Sequence, residues 1–270
     1  DFLLIDRDSF EIRERHNRSG FCGFGGDFSF QTRRNLLIAC EWGHPRLFRS
    51  GFTLSDIENV SESFGSQLHV WQISPGILKE SIELGPFEGC LTTTVRFLHN
   101  PECNHAFACS AIGSTGQKIE VEDWLASEMP ALLTDLVISM NDRFAYVAGW
   151  LHGCIWQLDI SDPFRTTVLN MVEDWIASEM PALLTDLVIS MNDRFAYVAG
   201  WLHGCIWQLD ISDPFRTTVL NMVTLGGLLG GAIDATIKMP AAFKGDMEGG
   251  PYLARDLRFF TGDSTSDNFL

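Results

Sequence analysis

Basic residues are scarce in this chain: 19 Lys and Arg stand against 35 Asp and Glu, a formal charge of -16 over 270 residues. A surface of that sign repels phosphate backbones and anionic headgroups, which argues against nucleic acid as a partner. No apolar run approaches the roughly 20 residues of a membrane span, and no basic start followed by an apolar stretch marks a secretory leader. The seven cysteines are an odd number without close paired spacing, and they fit reduced thiols in a cytoplasmic protein better than a disulfide scaffold. The sequence also lacks G-x-S-x-G, a P-loop, H-E-x-x-H and C-x-x-C, so the common nucleophile, phosphate and zinc signatures are missing. No methionine precedes Met129, which gives the expectation that these residues belong to a longer chain.

Long helical periodicity is nearly absent as well. In its place stand short segments rich in Val, Ile, Thr and aromatics: "FSFQ", "LLIACEW", "QLHVWQI", "ESIEL", "TTVRFLH", "HAFACSA" and "KIEV". Turn-forming clusters such as "HNRSG", "SPG", "HNPE" and "GSTG" separate them, the grammar of an antiparallel all-β protein. The opening "DFLLIDRDSFEIRER" reads as two strands around a turn, and the one helix expected is the short "EDWLASEM", stopped by Pro130.

A unit from Val121 to Met171 returns from Val172 to Met222, with Leu125 against Ile176 as the sole difference. Its length and its four strand-like segments, "LTDLVIS", "FAYVAGW", "CIWQLDI" and "TTVLN", match one four-stranded propeller blade. Folding does not demand identity at exposed positions such as Arg143 and Arg194. A recent duplication of one coding segment, or an error of sequence assembly, is the expected origin.

Metal chemistry would have to draw on seven histidines: His16, His44, His69, His99, His105, His152 and His203. His99 in "RFLHNP" and His152 and His203 in "WLHG" each end a strand where the chain turns, as loops around a propeller channel do. Glu41 and Trp42 occupy a similar strand end. Cys103, His105 and Cys109 are close in "ECNHAFAC", where a plain turn and strand is the commoner reading than a metal site. "GFCGFGG" and "LGGLLGG" read as connections.

"LLIACEWGHPRLFRSGF", "QLHVWQI", "VRFLHNP", "SEMPALLTDLVISMNDRFAYVAGWLHG" and "QLDISDP" resemble consecutive stretches of the selenium-binding protein family, also known as methanethiol oxidases. "YLARDLRFFTGDSTSD" is similar to that family's C-terminus. The resemblance implies a cytosolic β-propeller that oxidises methanethiol with oxygen to hydrogen sulfide, formaldehyde and hydrogen peroxide, with copper held by histidines and selenium bound through cysteine. The family's N-terminal paired cysteines and neighbouring histidines have no counterpart here. Its C-terminal alanine-histidine pair is replaced by Ala254 and Arg255, its following cysteine by Ser264, and the aspartate after "WLHG" by Cys154 or Cys205. The metal ligands it leaves are His99 with His203 or His152, only one of which can take the family's place in the channel.

The fold expected is therefore all-β, an incomplete β-propeller of four-stranded antiparallel blades over residues 1–223, followed by an irregular segment over 224–270. A small thiol substrate is one expectation for its partners. A catalytically inactive propeller that serves as a protein-interaction platform is the alternative.

Overall fold

The computed structural model describes residues 2–16, 24–50, 56, 59–103, 105–113, 131–172, 183–201 and 203–224. The expected strand "KIEV", the helix "EDWLASEM" and the tail from 225 lie outside these. The chain divides into two units, Asp1–Leu136 and Val137–Leu270.

The first unit opens with the hairpin expected from its sequence, β1 (Phe2–Ile5) paired antiparallel with β2 (Ile12–His16). A four-stranded antiparallel sheet follows in sequence order: β3 (Phe28–Gln31), β4 (Leu36–Cys40), β5 (Gln67–Gln72) and β6 (Ile77–Glu83). A 3-10 turn at Thr32–Arg34 joins β3 to β4, and Asn35 takes the left-handed backbone (φ 57°) that closes it. Next comes the two-stranded sheet of β7 (Thr92–Phe97) and β8 (Ala106–Ser110).

Two short helices, α1 (Pro45–Ser50) and α2 (Val60–Ser63), were not expected from the sequence. Proline at the first position of α1 suits a helix start, because the missing N–H would have had no partner there. Ile38, Cys40, Leu68 and Val95 form one core cluster in this unit, and Leu47, Val60, Phe64, Cys90 and Ile112 a second beneath the helices.

The repeated sequence gives two four-stranded antiparallel sheets. One comprises β9 (Leu133–Ile138), β10 (Phe144–Gly149), β11 (Cys154–Asp159) and β12 (Thr167–Val172); the unit boundary falls inside β9. The other comprises β13 (Leu184–Ile189), β14 (Phe195–Gly200), β15 (Cys205–Asp210) and β16 (Thr218–Thr224). The central strand pairs share one register: Phe144 faces Asp159 and Gly149 faces Cys154, as Phe195 faces Asp210 and Gly200 faces Cys205.

Side chains alternate between the faces of a strand, so Phe144, Tyr146 and Ala148 share one face of β10. In the second unit that face joins Ile155 in a single core with Leu184, Leu187, Ala196, Val198, Trp207 and Leu209 of the second copy. The two blades thus pack face to face. Thr217 Oγ donates to Gln157 Oε1 at 2.9 Å and Met140 N to Asp193 Oδ1 at 2.8 Å across the same junction.

Candidate functional site

In the first unit, the ends of β3 and β7 flank an open cavity of about 470 Å³. His99 lies on its lining, exposed, in the turn after β7. Arg33 and Arg96 line the same space, together with the hydroxyl-bearing Ser29 and Thr32. Arg96 is fixed from behind, its guanidinium bonded to the Asp27 carboxylate and 3.8 Å from Asp135. Arg34 donates to the carbonyls of Pro101 (2.6 Å) and Glu102 (2.7 Å), which ties the His99 turn to the 3-10 turn. The dipeptide Arg33-Arg34 was visible in the sequence, but nothing there indicated that it meets a turn some 67 residues further on.

A second polar group crosses three neighbouring strands. His69 on β5 is buried; its Nδ1 lies 2.8 Å from the Ser81 hydroxyl on β6 and its Nε2 3.1 Å from Glu41 Oε1 just past β4. Strand register explains the first contact, since His69 and Ser81 are direct partners in the β5–β6 ladder. Burial pushes the Glu41 carboxyl up, but the His69 hydrogen bond and charge, with the backbone N–H groups of Phe24 and Gln67, outweigh it and leave the group below its ordinary value. The sequence marks Glu41 as a strand-end residue but carries no sign of its partnership with His69.

In the second unit, His152 and His203 occupy equivalent turns between the second and third strands of their blades. They differ in exposure: His152 is half-buried with its ring 6.5 Å from that of Trp156, while His203 is 1% exposed and edge-on to Trp207 at 6.3 Å. Cys154 and Cys205, immediately beyond them, are buried.

Thiols of the first unit are shielded too. Burial pushes Cys40 up to about 12, Cys90 up to about 11 and Cys109 up to about 12, which keeps them protonated and unreactive at neutral pH. Cys103, in the turn after His99, is half-buried.

The described residues do not fit a copper ion. Among them no three His, Cys, Asp or Glu side chains come together as a ligand set, and the cavity lining at His99 offers two guanidiniums and no carboxylate or thiolate. Guanidinium groups only donate hydrogen bonds, and their charge opposes a cation. Cys103 and His105 do not complete a metal group with Cys109 either.

Successive four-stranded antiparallel sheets, each in the order of its sequence, define the class: this is an all-β chain with the fold of a β-propeller, of which it carries part. Among solved structures it is similar to a hypothetical selenium-binding protein from Sulfolobus tokodaii, at 21% identity and a TM-score of 0.66, over 82% of this chain and 60% of that one. It is also similar to the periplasmic gluconolactonase of Pseudomonas aeruginosa, at 12% identity and a TM-score of 0.57, over 89% and 64%. At such identities the likeness shows the fold alone.

The family is shown by sequence. The profile of the 56kDa selenium binding protein (SBP56) matches residues 1–172 and 167–242, and the chain belongs to that family. The two matched stretches meet where the second copy of the repeat begins. A Caenorhabditis briggsae protein named "Putative selenium-binding protein" is 41% identical over the whole of this chain and 62% of its own length. The methanethiol oxidase of Xenopus laevis is 35% identical over the whole chain and 66% of its own length, and selenium-binding protein 1 of Arabidopsis thaliana 37% over 84% and 39%. The chain thus spans less than two thirds of the length of these relatives. Among the described residues no helix is long and apolar enough to cross a membrane.

Proposed function

We propose that the chain is part of a methanethiol oxidase of the cytosol, a propeller that converts methanethiol, oxygen and water into hydrogen sulfide, formaldehyde and hydrogen peroxide. The observation that carries this reading is the match to the SBP56 family over residues 1–242, with relatives that include methanethiol oxidases. Copper is the metal of the resemblance, and His99, His152 and His203 are the imidazoles the chain brings to it. No step is assigned to that metal, because the described residues do not assemble a set of donors around any of the three. Selenium would be bound through a thiol; Cys103 is the described thiol that is not buried.

A specific observation favours a second reading, an inactive propeller that binds protein partners. The described thiols other than Cys103 are buried, and one face of the second copy leaves Val188 (55%), Tyr197 (39%) and Ile206 (37%) exposed. The two readings separate in one assay, in which the purified chain is incubated with methanethiol and oxygen, with and without added copper, while hydrogen sulfide and bound copper are measured. Copper-dependent hydrogen sulfide release is the outcome expected of an oxidase. A folded chain that takes up no copper and releases none at any metal concentration leaves the platform reading in its place.

A further inference from the structure

In a chain with 35 acidic against 19 basic residues, the cavity at the ends of β3 and β7 is lined by Arg33, Arg96 and His99 and, among the described residues, by no carboxylate. We propose that this cavity binds a small organic carboxylate, an anion with an apolar body. Arg33 supplies the charge: among the described residues it has no carboxylate partner, and its planar guanidinium matches a carboxylate with two parallel hydrogen bonds. Arg96, already held by Asp27 and Asp135, contributes a fixed wall of donors more than a net charge.

Ser29 adds a further donor. Its Oγ accepts the Phe97 N–H at 3.2 Å, which leaves the hydroxyl hydrogen for another acceptor. Phe30, Phe97, Leu98 and Pro101 form the apolar remainder of the lining. A space of about 470 Å³ is larger than an inorganic ion fills and falls within the range of small-molecule clefts.

Two features make this a built site more than a surface dent. Arg34 clamps the carbonyls of Pro101 and Glu102, so the His99 turn is held at the cavity's edge by two hydrogen bonds. Gln31, which also lines the cavity, is 8% exposed, and among the described residues neither its amide nitrogen nor its amide oxygen has a hydrogen-bond partner. A buried amide with both ends unsatisfied is rare in folded proteins and costly to keep. A polar ligand that settles beside it relieves that cost.

The inference stands apart from the oxidase reading, since methanethiol carries no carboxylate and the readout is binding alone. Isothermal titration of the full chain with benzoate and with inorganic phosphate tests it, alongside the exposed-site variants Arg33→Gln and His99→Gln. Benzoate should bind saturably and more tightly than phosphate. Arg33→Gln should weaken benzoate about tenfold or more, the loss of a charge-assisted pair, and His99→Gln should weaken it to a smaller degree with unchanged denaturation midpoints. Absence of saturable benzoate binding overturns the proposal, as do unchanged affinity in folded Arg33→Gln and phosphate binding as tight as benzoate. If Arg33→Gln does not fold, His99→Gln decides the matter by the same criteria.

Discussion

The two copies of the repeat have the same amino acids and different surroundings. In the first copy Tyr146 is 3% exposed and Ile155 2%; their twins in the second copy, Tyr197 and Ile206, are 39% and 37% exposed. The tryptophans run the other way, with Trp156 half-buried and Trp207 at 1%. Strand alternation accounts for both reversals. Packing of the two blades covers the Tyr146 face of the first sheet with the Trp207 face of the second, so the Tyr197 face of the second is left outward. Burial in a propeller is thus a property of a blade's neighbours, and a blade's own sequence prepares both of its faces for contact.

Side-by-side substitutions in the two copies are the direct way to break this comparison. The largest difference is expected at the tryptophans: Trp207→Ala should cost about 3–5 kcal/mol, the usual penalty for an emptied core site, and Trp156→Ala about 1–2 kcal/mol, as read from urea denaturation. Equal costs would mean that the two blades have equivalent environments in solution.

A finer probe is the glycine that each tryptophan covers. A Cβ on Gly200 would lie 2.4 Å from Trp207 Cζ3, and one on Gly149 2.6 Å from Trp156 Cζ3. Both contacts are too close to survive unchanged, so the outcome depends on whether the ring can move. Gly200→Ala should cost about 1–3 kcal/mol because Trp207 is enclosed, whereas Gly149→Ala should cost less than about 1 kcal/mol because half-buried Trp156 can give way. Near-UV circular dichroism should register displacement of the ring in either variant.

A hydrogen bond gives a contrast of similar size. Gln157, fully buried, donates to Tyr146 Oη at 3.1 Å and accepts from Thr217 Oγ; the equivalent Gln208 to Tyr197 contact is 3.5 Å and exposed. Gln157→Ala should destabilise by about 1–3 kcal/mol, since it leaves the buried Tyr146 hydroxyl without that donor. Gln208→Ala should stay within about 0.5 kcal/mol. A matching loss at Gln208 would indicate that the outward face is covered in solution.

Much of the fold was legible before any coordinates. Alternating apolar segments and turn clusters gave the antiparallel all-β class, and the 51-residue shift between the copies set the blade length. The helices were missed because "PRLFRS" and "VSES" are too short to show a helical period. At the candidate sites, histidines stood out because they are few, but their neighbours did not. His69 and Glu41 come together through pairing of β4 with β5, and His99 meets Arg33 through contacts between segments more than sixty residues apart. Such encounters leave no local pattern.

The repeat separates the two kinds of information cleanly. Both copies place left-handed residues at the same points, Leu132 and Leu183, Asp142 and Asp193, Gly153 and Gly204, with φ between 51° and 60°. Both use the same turn, in which the serine hydroxyl caps the next strand: Ser139 Oγ accepts from Phe144 N and Ser190 Oγ from Phe195 N, each at 2.9 Å. Local sterics and short-range hydrogen bonds set those features, so identical residues produce them twice. Which tyrosine is buried, which histidine is enclosed and which arginine reaches a cavity were decided only by tertiary packing, because removal of a side chain from water depends on what another part of the chain lays over it.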